Sequence, residues 1–85
     1  MKEINRNEVK NTLFRIIASV LNVDADTITE ENELDTDLRI DSLALYEIVV
    51  DIEDTYSLRI TNDEADDLKT VAEAVDFIVD KLEHS

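Results

Sequence analysis

"DSLALYEIVVDIEDTY", residues 41–56, holds neither glycine nor proline and places an apolar residue at almost every third or fourth position. Leu45, Ile48, Val49, Ile52 and Tyr56 share one face of a helix with about 3.6 residues per turn. Leu43, Glu47, Val50 and Asp54 share another, where acids alternate with apolar residues, so that face need not be buried. The stretch predicts a helix over 42–56. Asp41 is a strong capping residue, because its carboxylate can accept one of the free N–H groups of the first turn. Ser42 then becomes the first helical residue, with its hydroxyl free and facing solvent.

The same periodicity extends in both directions. Val9, Leu13, Ile16, Ile17, Val20 and Leu21 predict an amphipathic helix over 7–21, with Asn5 or Asn7 as its cap. Residues 22–40, "NVDADTITEENELDTDLRI", lose the pattern and read as a long loop. Thr27 and Glu30 suggest one short turn within it. Val23, Ile28, Leu34 and Leu38 are spaced as if to pin it to a core, since long structureless loops are uncommon in compact domains. Thr61 with Glu64 opens a short helix over 61–68. Thr70 with Glu73 opens a last one over 70–83, whose stripe is Val71, Ala74, Val75, Ile78, Val79 and Leu82. "YSLRIT" alternates briefly but has no partner strand. The expectation is one all-α domain over 1–85: a four-helix bundle with three main helices, one short helix and a long loop after the first.

Charge is distributed unevenly. The chain of 85 residues has a formal net charge of −14, and the span from Asp24 to Asp67 contains sixteen acids against two bases, Arg39 and Arg59. The remainder holds six of each, so the whole imbalance lies in the middle. Nucleic acid and anionic membranes are poor partners for such a surface, and a basic protein face is a good one. A solubilising acidic coat explains the charge equally well. No apolar run approaches the ~20 residues of a membrane span, and the polar opening "MKEINRNEVK" is no signal peptide. The absence of cysteine excludes disulfides and thiolate metal sites and fits a reducing compartment, so the cytoplasm is the expected location.

Catalytic chemistry finds no support. A nucleophilic serine needs a base, and the single histidine, His84, stands beside the C-terminus, where a solvated tail residue is the simplest reading. Acids are plentiful, yet none is singled out as a pair in a cleft. The acidic loop lacks the glycine and terminal glutamate of a calcium-binding loop, so no metal site is expected. The chain is not expected to be an enzyme. Ser42 itself has two readings: an ordinary helix-start serine, or a hydroxyl presented for modification where free N–H groups favour an anion.

The stretch "DSLALYEIVVDIEDTYSLRITNDEADDLKTVAEAVDFI" resembles the acyl carrier proteins. The resemblance rests on the Asp41–Ser42–Leu43 motif, the helix after it, Tyr56, Ile60, the acidic short helix and the Thr70–Val71 opening of the last helix. It implies that a phosphopantetheinyl transferase attaches 4′-phosphopantetheine to Ser42, with Asp41 and Leu43 read by that enzyme. It implies an acidic recognition face for acyl-transferring and chain-modifying enzymes with basic docking patches: Glu47, Asp51, Glu53 and Asp54, with Val50 at the centre and Asp63 and Asp66 on the short helix. It implies an acyl pocket drawn from Ile48, Val49, Ile52, Ile60, Ala65 and Leu68, although a small apolar core needs those residues regardless. A monomer is expected, serving fatty acid biosynthesis or a specialised acyl or polyketide pathway. Arg39 stands where family members usually have glycine, Ile40 where they have a small residue, Ala44 where an acid is common and Thr61 where proline is common. Peptidyl carriers more often have histidine before the serine, so Asp41 points away from them. An acidic helical adaptor of the same fold without the arm is the alternative.

Overall fold

The computed structural model describes residues 4–84. Four α-helices follow in order: α1 (Arg6–Leu21), α2 (Ser42–Tyr56), α3 (Asn62–Asp66) and α4 (Val71–Glu83). One turn of 3-10 helix, Ala25–Thr27, interrupts the α1–α2 loop. The described residues contain no strand, only an isolated antiparallel bridge between Glu33 and Thr70. No helix among them is long and apolar enough to cross a membrane.

The helix ends follow from residue type. Asn5, rather than Asn7, caps α1: its side-chain oxygen accepts the Asn7 and Glu8 amides at 2.9 and 3.3 Å. Without glycine, the left-handed turns that end α1 and α2 fall to Asn22 (φ 58°) and Ser57 (φ 56°). There the Val23 and Leu58 amides donate back to the Ala18 and Glu53 carbonyls at 3.0 and 3.1 Å. Thr61 and Glu64 form the complete reciprocal cap of α3. The cap of α4 is offset by one residue. Thr70 accepts the Glu73 amide, but the Glu73 carboxylate accepts from Lys69 instead of Thr70. The expected turn at Thr27–Glu30 begins earlier, because the Asp24 carboxylate accepts the Asp26 amide at 3.0 Å. Thr27 ends that turn and does not open one.

α1 is the central helix. It packs on both α2 and α4, and no other pair of α-helices approaches as closely. Val9, Leu13 and Ile17 from α1 meet Ile48 and Ile52 from α2 and Val71, Val75 and Ile78 from α4 in a core with no buried polar side chain among the described residues. Ile28 and Leu34 are buried in it and Leu38 packs against it, so the long loop is pinned as expected. Val23 is the exception, 46% exposed.

Hydrogen bonds hold the loop more firmly than apolar pins alone would. The Val71 and Ala72 amides, free donors at the start of α4, reach the Asn32 and Glu30 carbonyls at 3.0 Å each. The Leu34 amide returns to the Lys69 carbonyl at 2.9 Å. Arg6 then ties three elements together. Its guanidinium donates to Glu30 in the loop at 2.6 Å and to Asp76 on α4 at 2.7 Å. The hydrogen bond from Arg6 holds the Glu30 carboxyl below the usual carboxylate range.

A lowered folded-state pKa stabilises the fold above the unfolded value and loses that contribution as pH falls through the folded one. Glu30→Gln should therefore lower the thermal midpoint near neutral pH by the equivalent of at most about 1 kcal/mol, because the pair is partly exposed. The gap between variant and parent should close as the pH is taken below the unfolded carboxylate value. A gap of constant size down to pH 2 would mean that packing, not the ion pair, is responsible.

Candidate functional site

Ser42 occupies the first helical position of α2 and is exposed. Asp41 takes the cap: its Oδ1 accepts the Ala44 amide at 2.8 Å. The Ser42 hydroxyl has no hydrogen-bond partner among the described residues, and nothing basic is joined to it. His84 instead accompanies Asp80 at the end of α4, its ring Nδ1 2.8 Å from the Asp80 carbonyl and 3.2 Å from the carboxylate, and this raises its pKa. Ser42 thus presents an accessible hydroxyl with no base beside it to activate it as a nucleophile.

The loop delivers Ser42 to its position. The Ile40 amide donates to the Leu34 carbonyl at 2.9 Å, which brings the chain back on itself just before α2. Between these two residues lies Arg39, with φ 54°, where a side chain normally disfavours the left-handed conformation. An open groove of ≈ 260 Å³ runs beside Ser42, with Asp35, Leu34, Ile40, Leu45, Asp66 and Lys69 among its walls.

An apolar void of ≈ 20 Å³ shares walls with the groove, and Leu34, Ile40, Leu45 and Leu68 line both. Of the residues expected to line an acyl pocket, Ile48, Val49, Ile52, Ile60 and Leu68 face this void. Ala65 does not; it is buried at the groove. Leu34, Leu45 and Phe77 also line the void although the sequence did not mark them as pocket residues, because periodicity marks a residue as core but not as the border of a gap. The void is about the size of one water molecule and wholly apolar, too small as it stands for an alkyl chain.

On the outer face of α2, Leu43 is 68%, Tyr46 62% and Val50 38% exposed. Exposed Glu47, Asp51 and Asp54 stand among them, and Asp63 and Asp66 are exposed on α3. Tyr46 joins the expected face, three residues after Leu43 and four before Val50, a spacing visible in the sequence. Glu53 has a different position and task. It is half-buried, and its Oε2 accepts the Ile60 amide at 2.8 Å, fastening the segment that follows α2. α3 is held at its far side by Lys81, whose Nζ donates to the Glu64 carboxylate at 3.0 Å and to the Arg59 carbonyl at 3.1 Å.

Comparison with known proteins now bears on this arrangement. A family model described as a phosphopantetheine attachment site matches residues 11–78. An acyl carrier protein of Lactobacillus johnsonii is 36% identical over 75 residues, covering 88% of this chain and 94% of its own. The solved acyl carrier protein of Thermotoga maritima superposes with a TM-score of 0.82 at 26% identity, covering 99% of this chain and 98% of its own. That of Enterococcus faecalis gives 0.75 at 32% identity, covering 92% and 99%.

The Asp41 cap has a measurable consequence. Asp41→Ala should cost about 1 kcal/mol of stability, seen as a lower thermal midpoint, with helix content kept. A midpoint equal to the parent's would show that the Asp41–Ala44 bond contributes nothing to the start of α2.

Proposed function

The chain belongs to the acyl carrier protein family, whose members carry covalently attached 4′-phosphopantetheine, and on that premise we propose that Ser42 is the attachment residue. The observation that supports this most is the division of labour at the start of α2. Asp41 satisfies the first turn, and the neighbouring hydroxyl is left free and exposed. The site fits the group: an exposed oxygen at a helix start, free N–H groups that favour an ester-linked phosphate, and an adjoining open groove. When bound, the group supplies the terminal thiol that this cysteine-free chain lacks, and acyl cargo is carried on it as a thioester.

The chain's own residues then present and recognise. Family members are carriers rather than catalysts, and the absence of a base joined to Ser42 suits that role. Leu43 and Asp41 flank the attachment point where a phosphopantetheinyl transferase would read them. Glu47, Asp51 and Asp54 surround Leu43, Tyr46 and Val50, so a basic partner surface with an apolar centre matches α2, and Asp63 and Asp66 extend the acidic field. The apolar side chains lining the void would hold the cargo's alkyl part away from water once α2 and α3 part. The pathway served is fatty acid biosynthesis or a dedicated acyl route in the cytoplasm. Arg39 and Ile40, set next to Ser42, distinguish this carrier's surface from the usual family pattern and favour partners matched to it.

Two measurements test this reading. Incubation of the apo-protein with coenzyme A and a broad-specificity transferase should add one phosphopantetheine mass to the parent and none to Ser42→Ala; an equal gain in both, or none in either, refutes the assignment. Glu47→Lys should weaken transferase binding by roughly fivefold at low salt, the equivalent of about 1 kcal/mol. The difference should shrink as salt is added, since exposed charges are screened. Unchanged affinity at low salt would remove α2's acids from the docking face.

A further inference from the structure

Three described bases, Arg39, Arg59 and Lys69, have side chains with no ion pair, hydrogen bond or ring contact to any described residue. That is unexpected, because Arg39 sits in the most acidic part of the chain, with Asp35, Asp37 and Asp41 close by in sequence. Lys69 lines the same groove as Ser42, and Arg39, exposed and outside the walls of that groove, precedes Ser42 by three residues in the chain. The rest of that groove's charge is negative, from Glu33, Asp35, Asp41 and Asp66.

We infer that Arg39 and Lys69 together hold the phosphodiester that links the arm to Ser42. The inference rests on Ser42 being the attachment residue. A phosphodiester stays ionised at neutral pH, and on Ser42 it would add one more negative charge to a groove already lined by four carboxylates. An unneutralised phosphate there would be pushed outward by like charge. The two free bases are the local groups able to oppose that. A guanidinium offers a planar fork of donors that matches two phosphate oxygens, and an ammonium acts as a mobile point charge. Their lack of intramolecular partners means that neither must give up an existing pair to engage the phosphate. The left-handed backbone at Arg39, where family members usually have glycine, places a long basic side chain at a point where the usual residue offers none. The consequence is an arm whose ester-linked end is held close to the protein surface beside Ser42.

The test uses protein loaded by transferase and coenzyme A, with intact mass confirming one added group. The probes are the phosphorus-31 resonance of the phosphodiester and the side-chain nitrogen-bound proton resonances of Arg39 and Lys69. The parent is compared with Arg39→Gln, Lys69→Gln, the double variant, and Arg39→Lys, which keeps the charge. All substitutions are at exposed positions, and far-ultraviolet circular dichroism checks that each variant keeps its helices. Loading should shift both side-chain resonances in the parent. The phosphorus resonance should move with added sodium chloride in the parent, less in each single glutamine variant, and not in the double; Arg39→Lys should restore part of the parent's response. Side-chain resonances identical before and after loading, with one phosphorus response shared by parent and double variant, would overturn the inference while leaving Ser42 as the site. Failure of the parent to gain mass would overturn both.

Discussion

The first amides of α4 have no partner within their own helix, and the molecule satisfies them with carbonyls from a loop some forty residues earlier. Val71 and Ala72 donate to Asn32 and Glu30. This exchange settles where the α1–α2 loop must lie, because two backbone bonds to a helix end leave little freedom in register. Leu34 and Ile40 are then drawn in, and Ser42 is set at the mouth of the groove with its hydroxyl outward. Arg6 reinforces the same junction from outside by joining Glu30 to Asp76. The position of the serine is thus determined by a helix to which it does not belong.

The placement of charge follows a similar logic. Among the described residues two ion-pair clusters are built on Lys and Arg, and Arg6 with Glu30 and Asp76 and Lys81 with Glu64 fasten the middle and the last turn of α4 to their surroundings. They involve few of the sixteen acids between Asp24 and Asp67. Most of the others, including the exposed acids of α2, are left uncompensated on the surface. Each such charge is worth little in water by itself, but a field of one sign steers encounter and orientation with an oppositely charged partner. Glu53 shows the limit of reading that field from sequence. Its carboxylate turns inward to the Ile60 amide, so it serves the fold and not the face.

Periodicity made the three long helices legible to within a residue, while the short one, expected over 61–68, spans only Asn62–Asp66. The stretch 42–56 coincides with α2, and caps at Asp41, Thr61 and Thr70 stand where residue type placed them. The reason is physical: these signals are local, and a side chain within three residues decides them. Two misses are contests between neighbouring local partners, and the others depend on distant chain. Thr27 lost its turn to Asp24, and Glu73 passed over Thr70 to reach Lys69. Val23 had the spacing of a pin and found nothing to pack beneath it. At the candidate site, the exposure of Ser42 and of the α2 acids Glu47, Asp51 and Asp54 could be read from pattern, whereas the joining of Lys69 to the Ser42 groove could not, since it requires the loop to be folded onto α4.

A carrier must meet two demands that oppose each other, presenting its arm to partners and sheltering a reactive, apolar cargo between visits. The apolar void of ≈ 20 Å³ holds nothing larger than a water molecule. On the proposed carrier role, shelter of a larger cargo requires movement, and α3 is the element least held. α1 packs on α2 and α4, while α3 has only five residues, one buried side chain, Ala65, and a tether through Glu64 to Lys81. Burial is the main source of helix stability in proteins, so the element with least of it opens at least cost. The tether joins Glu64 to the last turn of α4, and neither of its residues lines Ser42's groove. It therefore leaves unpinned the edge by Leu68 and Leu45, where the groove and the void share their walls.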